Sequence, residues 1–206
     1  MTKYNIKLKL LFFIKFFLFF LICLKSYADN TETFSSLIVL GENEAPVKIK
    51  IFSSHTCPHC ASFHMKIVPK IKEKYIEAGK VQLIFIDFPL DQAALNASTI
   101  LHCVKTDKQI NFLDSIYAKQ SDWVVGSNID EINNNLKKIA EDVGITSNQF
   151  SKCLKNETIV DKILNGRING HKKYSINSTP TIIINEKKFE GSASFEDIEK
   201  YIDKII

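Results

Sequence analysis

The chain is predicted to have an α/β fold into which an all-helical segment is inserted. An alternating strand pattern at residues 47–52 precedes helical spacing over 63–76, and a second, more apolar strand pattern covers 81–88. Residues 91–174 then show helical periodicity alone, before a hairpin pattern and a last helix. A strand, a helix and a strand in this order predict a parallel pair joined by a right-handed crossover.

The first 28 residues are predicted to be a cleaved signal peptide. Met1–Lys9 carries lysines and no acid, residues 10–24 are almost wholly apolar, and Ser26-Tyr27-Ala28 has the small residues of a cleavage site. An uncleaved membrane anchor is the alternative. The apolar run is short for a span of about 20 residues, and Lys15 interrupts it, so we favour cleavage.

Removing this segment changes both the charge and the cysteine count. It contains five Lys and no acid, so the net charge falls from +4 to −1. Cys23 leaves with it, and four cysteines remain. The mature chain therefore gives no reason to expect binding to nucleic acid or to an anionic membrane. An even number of cysteines behind an export signal suits an oxidising compartment, here the periplasm.

The rest of the chain is predicted to fall into three parts. Residues 29–90 hold a polar lead-in, an apolar patch at Leu37–Leu40 that suits an edge strand, and the strand–helix–strand unit. Residues 91–174 form the helical insertion, and residues 175–206 hold the hairpin and the last helix. The chain is thus predicted to form one compact domain with an insertion.

Individual residues mark the predicted ends of these elements. Gly79 and Gly144 each follow a helical pattern and are predicted to end it. Ser147 and Ser194 are predicted N-caps of the helices that follow them. Glu186-Lys187 is the predicted two-residue turn of the hairpin.

The sequence Cys57-Pro58-His59-Cys60 carries the strongest chemical signal. Two cysteines at this spacing can close a small disulfide or hold a metal. Because the pair lies between a strand and the first turn of a helix, the helix N-terminus should lower the pKa of Cys57. A zinc ribbon would need a second close pair, and Cys103 and Cys153 stand 50 residues apart. We therefore expect a redox-active dithiol, without a metal or another cofactor.

The whole arrangement resembles the DsbA family of exported thiol-disulfide oxidoreductases, which have a thioredoxin fold with an inserted helical domain. The resemblance covers about residues 45–206 and rests on the Cys57–Cys60 motif, the helical block, and Ser178-Thr179-Pro180-Thr181. It implies that Pro180 follows a cis peptide bond and faces the cysteines. It also implies that Thr179 and Pro180 contact the substrate.

The resemblance assigns a role to each residue of the motif. Cys57 is expected to be the more exposed cysteine of the pair and to exchange with substrate. Cys60 is expected to be the shielded cysteine, which resolves the mixed disulfide in reduction or leaves as a thiolate in oxidation. His59, with Pro58, is expected to stabilise the Cys57 thiolate, which favours an oxidase. The implied partners are reduced, unfolded client proteins and a DsbB-like membrane protein that reoxidises the pair, with the chain itself a monomer.

Two positions leave other functions open. Ile51 stands where DsbA proteins have a buried acid, so Asp87 is either its substitute or an ordinary residue at the end of a strand. Thr179 is common before the cis-proline in relatives that isomerise or reduce disulfides. A reductase or isomerase is therefore an alternative function, and a non-enzymatic periplasmic metal carrier or binding module is another.

Cys103 and Cys153 are predicted to form a second, structural disulfide. The oxidising compartment favours the bond, and some relatives of the resembled family have one of this kind. A loop of 50 residues closed in this way would contribute about 4 kcal/mol in the chain-entropy model. Two buried free thiols that pack as small apolar side chains are the alternative.

Overall fold

The computed structural model describes residues 37–206, so the predicted signal peptide and Cys23 lie outside the described residues. The helices and strands follow the predicted order of strand, helix, strand, helical block, hairpin and helix. Their bounds are β1 Ile38–Leu40, β2 Val47–Ser53, α1 Pro58–Lys66, α2 Val68–Ile71, a π-helical turn Lys72–Ile76, β3 Val81–Asp87, α3 Gln92–Cys103, α4 Thr106–Ala118, α5 Gln120–Trp123, α6 Ile129–Asp142, α7 Ser147–Leu154, α8 Glu157–Tyr174, β4 Thr181–Ile184, β5 Lys187–Lys188 and α9 Phe195–Ile205. Within that range, no helix is long and apolar enough to cross a bilayer.

The five strands form one mixed sheet in the order β1-β3-β2-β4-β5. β2 and β3 pair in parallel over their whole length, from Val47 opposite Val81 to Ser53 opposite Asp87. The predicted parallel pair and the predicted edge strand β1 are therefore confirmed. β4 is antiparallel to β2, and it brings the segment that precedes it to the edge where β2 and β3 end.

The two faces of the sheet are covered by different elements. The larger core packs α1, α2, α9 and most of the helical block against one face. The smaller core on the other face consists of Phe52, Phe88, Ile176 and Ile183. There α8 approaches closely, since a Cβ at Gly170 would lie 2.5 Å from the ring of Phe52. Glycine at this position therefore lets α8 rest directly on the sheet.

The helix predicted after Cys57 is broken into three pieces. α1 ends at Lys66, α2 starts at Val68 with Pro69 in its first turn, and a π-helical turn follows. Proline lacks an N–H and its ring clashes with the carbonyl four residues earlier, so a continuous α-helix through Pro69 is disfavoured. The prediction of one uninterrupted helix over 63–76 was wrong at this point. Gly79, at φ +67°, ends the segment as predicted.

The helical block agrees with the predicted pattern apart from two details. The one-turn helix α5 was not predicted. The N-cap of α7 is Thr146 and not Ser147. Thr146 accepts from the Gln149 N–H, and the Gln149 side chain accepts from the Thr146 N–H, which makes a reciprocal capping box. Gly144 follows α6 at φ +92°, as predicted for a helix end.

The hairpin is shifted by one residue from its predicted position. Ile184 pairs with Lys187, so the turn residues are Asn185 and Glu186. Both have positive φ, +45° and +66°, which suits the two-residue turns that join twisted strands. Asparagine adopts this backbone region more readily than most residues, and this favours Asn185 over the predicted Lys187 in the turn. The predicted cap Ser194 is confirmed, because its side chain accepts from the Asp197 N–H.

Candidate active site

Cys57 lies at the N-terminal end of α1, just beyond the carboxyl end of β2. Its backbone is extended, with φ −79° and ψ 119°, and Pro58 opens the helix behind it. The Cys57 N–H donates to the Ser54 carbonyl, which closes the short loop after β2. Proline suits the first helical position because its φ is already helical and its missing N–H would have no helical partner there. The local sequence thus fixes both the start of the helix and the place of the first cysteine.

The two cysteines differ in exposure. Cys57 is 9% exposed, whereas Cys60, one helical turn further in, is 1% exposed. Both are free thiols in this structure. A substrate that approaches this edge therefore meets the sulfur of Cys57 first.

The loop before β4 contacts Cys57. The Thr179–Pro180 peptide bond is cis. The Cys57 thiol donates to the Thr179 carbonyl across 3.3 Å. The Thr179 hydroxyl is buried and has no hydrogen-bond partner among the described residues. It can therefore turn to donate to a thiolate once one forms.

The surroundings move the pKa values of the two cysteines in opposite directions. Burial raises the pKa of Cys57, but hydrogen bonds from Thr179 and from the N–H groups of Cys60 and His59 outweigh it and bring the pKa below its usual value. Burial dominates at Cys60 and raises its pKa to about 12. As the pH rises, the sulfur of Cys57 therefore ionises before that of Cys60.

Pro58 and His59 both lie on the surface of the first turn of α1. The contact that His59 makes with the Cys57 sulfur comes from its backbone N–H. This N–H is one of the unpaired donors at the start of a helix. The stabilising role of the imidazole stays a prediction.

A buried hydrogen-bonded cluster lies beside the pair, centred on Asp87 at the end of β3. One oxygen of Asp87 bonds His55 Nε2 at 2.9 Å and accepts from the Ser98 hydroxyl at 2.7 Å. The other bonds His102 Nε2 at 2.6 Å. Burial would raise the pKa of Asp87, but the charge of His102 and hydrogen bonds from both histidines hold it well below its usual range. Burial would likewise lower the pKa of His102, and Asp87 raises it.

This cluster bears on the predicted alternatives for Asp87. Ile51 is buried within β2, where it pairs with Phe85 and Ile182. Asp87 lies at the active-site edge, but among residues 37–206 its hydrogen bonds go to the two histidines and Ser98, and none goes to Cys60. Sequence reasoning did not identify His102, because only the folded chain brings α3 against the end of β3.

Gln120 on α5 is a second residue that sequence reasoning missed. Its Nε2 donates to the carbonyl of His55 at 2.7 Å and to that of Cys57 at 3.1 Å. A side chain of the helical block thus holds the loop that carries the reactive cysteine. No local pattern marks a glutamine more than 60 residues downstream for this role.

The second cysteine pair joins two helices of the block. A disulfide links Cys103 at the end of α3 to Cys153 on α7, with a Cα–Cα distance of 6.2 Å. Over residues 37–206, the structure contains no group of His, Cys, Asp and Glu suited to holding a metal ion.

Known proteins share this fold. A family model described as thioredoxin matches residues 34–204. The crystal structure of alpha-DsbA1 from Wolbachia pipientis superposes with a TM-score of 0.75 at 31% identity, covering 82% of this chain and 90% of that one. The chain belongs to the DsbA family.

Other DsbA-like proteins agree with this assignment. BdbD from Bacillus subtilis has a TM-score of 0.73 at 25% identity and covers 82% of this chain and 92% of its own. A Rickettsia bellii protein, named as a candidate protein-disulfide oxidoreductase, is 29% identical over 170 residues, which are 82% of this chain. The chain spans 61–64% of the length of that protein and two further rickettsial relatives.

Proposed function

We propose that the chain is an exported thiol-disulfide oxidoreductase that introduces disulfides into reduced, unfolded client proteins of the periplasm. The observation that carries this proposal is the difference in pKa between Cys57 and Cys60, which lie on one helical turn. The pKa of Cys57 is lowered, and that of Cys60 is raised to about 12. A thiolate that is stabilised in the reduced form makes the corresponding disulfide a better oxidant.

The catalytic cycle follows from that contrast. A client thiolate attacks Cys57 in the Cys57–Cys60 disulfide, and Cys60 leaves and takes up a proton because its pKa is about 12. A second client thiolate then attacks the client sulfur of the mixed disulfide. Cys57 leaves as a stabilised thiolate, and the client keeps the new disulfide. Two electrons pass from client to enzyme in each cycle.

Thr179 and Pro180 are the proposed substrate contacts. Thr179 lies against the Cys57 sulfur, and β4 begins directly after Pro180. An extended client segment can run beside this loop while its cysteine reacts with Cys57. We assign thiolate stabilisation to Pro58 and His59 through the helix start that they form.

The relatives support the reaction class. The Bacillus subtilis relative, 27% identical over 174 residues, is named disulfide bond formation protein D. We propose that residues 1–28 are a signal peptide and that 91–174 are an insertion between 29–90 and 175–206. The reduced pair would be reoxidised by a DsbB-like membrane protein, and the chain would work as a monomer without a cofactor.

Equilibration with glutathione tests the proposal directly. We expect the Cys57–Cys60 disulfide to be reduced by small amounts of reduced glutathione, at a potential well above the value of about −270 mV typical of thioredoxin. A potential near that value would contradict the oxidase and favour the reductase. In parallel, Cys60→Ser should form a stable mixed disulfide with a peptide whose cysteine carries a thionitrobenzoate group, because the Cys57 thiolate displaces thionitrobenzoate and no second cysteine resolves the bond. Cys57→Ser should form none.

A further inference from the structure

A groove with an apolar floor and a cationic wall opens between α8 and the loops that follow β3 and precede β4. We call it the α8 groove, and its volume is about 330 Å³. Phe88 and Ile176 form the buried floor, while Leu90 and Ile168 stand 49% and 46% exposed at its rim. The wall carries Arg167 and Lys172, both from α8.

The α8 groove lies between the two backbone segments that hold Cys57. On one side, the Leu90 N–H donates to the Ser54 side chain, and the Ser54 carbonyl accepts from the Cys57 N–H. On the other side, Asn177 lines the groove two residues before Thr179, whose carbonyl accepts from the Cys57 thiol. A chain bound covalently to Cys57 can therefore continue into the groove.

The cations of the wall have no acidic partner in the described part of the chain. Neither Arg167 nor Lys172 takes part in any ion pair within residues 37–206. Asp91, which follows the groove residue Leu90 in sequence, accepts hydrogen bonds from the Thr56 hydroxyl and the Ala94 N–H. Lys173, one residue further on, pairs with Glu186.

Arg167 has the geometry of a carboxylate receptor. It is the single arginine among 27 basic residues of the chain. Its guanidinium lies over the Phe88 ring at 5.3 Å, and this contact restricts the orientation of the planar group. It stands seven residues before the end of α8, so it is too far away to neutralise the helix dipole, which acts over the last turn. A guanidinium binds a carboxylate with two parallel hydrogen bonds, whereas an ammonium is a point charge.

We propose that the α8 groove binds an extended segment of the client protein in which an apolar residue lies next to an acidic one. The apolar side chain packs on Phe88 and Ile176, and the carboxylate pairs with Arg167 and Lys172. This inference rests on the proposed function, because the occupant is a client that reacts at Cys57. It gives the enzyme a preference among reduced clients according to the charge near their cysteines.

The test measures the rate at which the oxidised protein reacts with two series of three reduced dithiol peptides, all of equal length. They carry Leu-Glu, Leu-Gln or Leu-Lys beside the cysteines, in one series before them and in another after them. At low ionic strength we expect the acidic peptide to react about fivefold faster than the basic one in at least one series. The preference should vanish near 1 M salt, where the screening length is about 3 Å.

Variants of the wall separate the groove from the rest of the surface. Lys172→Glu, at an exposed position, should invert the preference for the acidic peptide. Arg167→Lys should only reduce this preference, because lysine keeps the positive charge but lacks the paired N–H donors of the guanidinium. The control Lys200→Gln/Lys204→Gln removes two exposed charges from α9 and should leave the preference unchanged. An unchanged order of the three peptides in Lys172→Glu would overturn the inference.

The reaction with dithiothreitol separates the two possible failures. If the oxidised protein reacts with dithiothreitol and oxidises all three peptides at equal rates, the proposed function stands and the groove inference fails. If it oxidises no peptide, the proposed function itself fails.

Discussion

The two cysteine pairs of this chain differ in how they are brought together. Cys57 and Cys60 are neighbours on one helical turn and stand as free thiols, whereas Cys103 and Cys153 are 50 residues apart and are joined by a disulfide. The free pair is nevertheless the more buried of the two. Exposure alone therefore does not distinguish a reactive cysteine from a structural one.

The difference lies in the hydrogen-bond donors around the sulfur. Cys57 has the Thr179 side chain and the N–H groups of a helix start around it. Cys103 and Cys153 lie at the ends of two packed helices, where their bond fixes α3 against α7. This comparison predicts that one pair sets the rate of the reaction and the other the stability of the fold.

The largest expected effect is the loss of reaction in Cys57→Ser. Serine cannot form a disulfide, so client oxidation should fall by at least about a thousandfold. The double variant Cys103→Ala/Cys153→Ala should stay within about threefold of the wild type. Comparable losses in the two proteins, measured with a fluorescent dithiol peptide, would contradict the division of roles.

The second effect is on stability. Cys103→Ala/Cys153→Ala should lower the free energy of unfolding by about 4 kcal/mol, because the unfolded chain regains the freedom of a 50-residue loop. Urea unfolding monitored by circular dichroism measures this change. Cys57→Ser/Cys60→Ser is the matched control and should keep the second bond. Alkylation of Cys103 and Cys153 in unreduced protein would show that the pair is free.

The buried cluster next to the reactive pair should also matter for stability. Asp87→Asn removes the charge that both histidines face and should cost about 3 kcal/mol at neutral pH. Asp161→Asn, at an exposed position of α8, is the control and should change little.

The pH dependence of the wild type identifies the same cluster. The lowered pKa of Asp87 gives stability that is present above about pH 4 and lost as the pH falls. The raised pKa of His102 gives stability that is present below about pH 6.5 and lost as the pH rises past its folded value. Both dependences should flatten in Asp87→Asn. An unchanged pH profile would assign the stability to other groups.

A smaller effect is expected from the Thr179 hydroxyl. Thr179→Val removes a donor to the Cys57 thiolate, so the pKa of Cys57 should rise and the reduced form should lose about 1.5 kcal/mol. Thr179→Ser keeps the hydroxyl and is the matched control. The ultraviolet absorbance of the thiolate, titrated against pH, measures the change. Equal titration of valine and serine variants would rule the hydroxyl out as the donor.

The smallest effect is on how the unfolding free energy of the reduced protein changes with pH. Between the folded pKa of Cys57 and about pH 9, the folded reduced protein binds fewer protons than the unfolded one, so its stability rises with pH by at most about 1.4 kcal/mol per unit. The oxidised protein lacks this contribution. The unfolding free energy of the reduced form should therefore rise relative to that of the oxidised form over this pH window. Above it, the raised pKa of Cys60 acts in the opposite sense. The slope should be absent from Cys57→Ser.

Local signals were enough to predict the active-site turn and most elements. The strand before Cys57, the proline behind it and the helical spacing beyond are all within reach of a single window of sequence. The errors concern competing local choices. Pro69 interrupts a good helical pattern, Thr146 replaces Ser147 because Gln149 completes its capping box, and Asn185 accepts the positive φ of the hairpin turn.

The residues that sequence reasoning missed act over long distances. His102 reaches Asp87 only after α3 has packed beside β3, and Gln120 reaches the Cys57 carbonyl only after α5 has packed beside the active-site loop. A side chain whose partner is set by tertiary packing leaves no periodicity or spacing to detect. The sheet was therefore easier to predict than the support around its reactive edge.

The two hydrogen bonds of Gln120 have a consequence for protein engineering. They hold the carbonyls of His55 and Cys57 from outside the sheet. A shortened protein with the helical block replaced by a linker would keep both cysteines in its sequence but would lose this clamp. Such a minimal scaffold should therefore need a substitute donor at the same position before its reactive turn keeps one conformation.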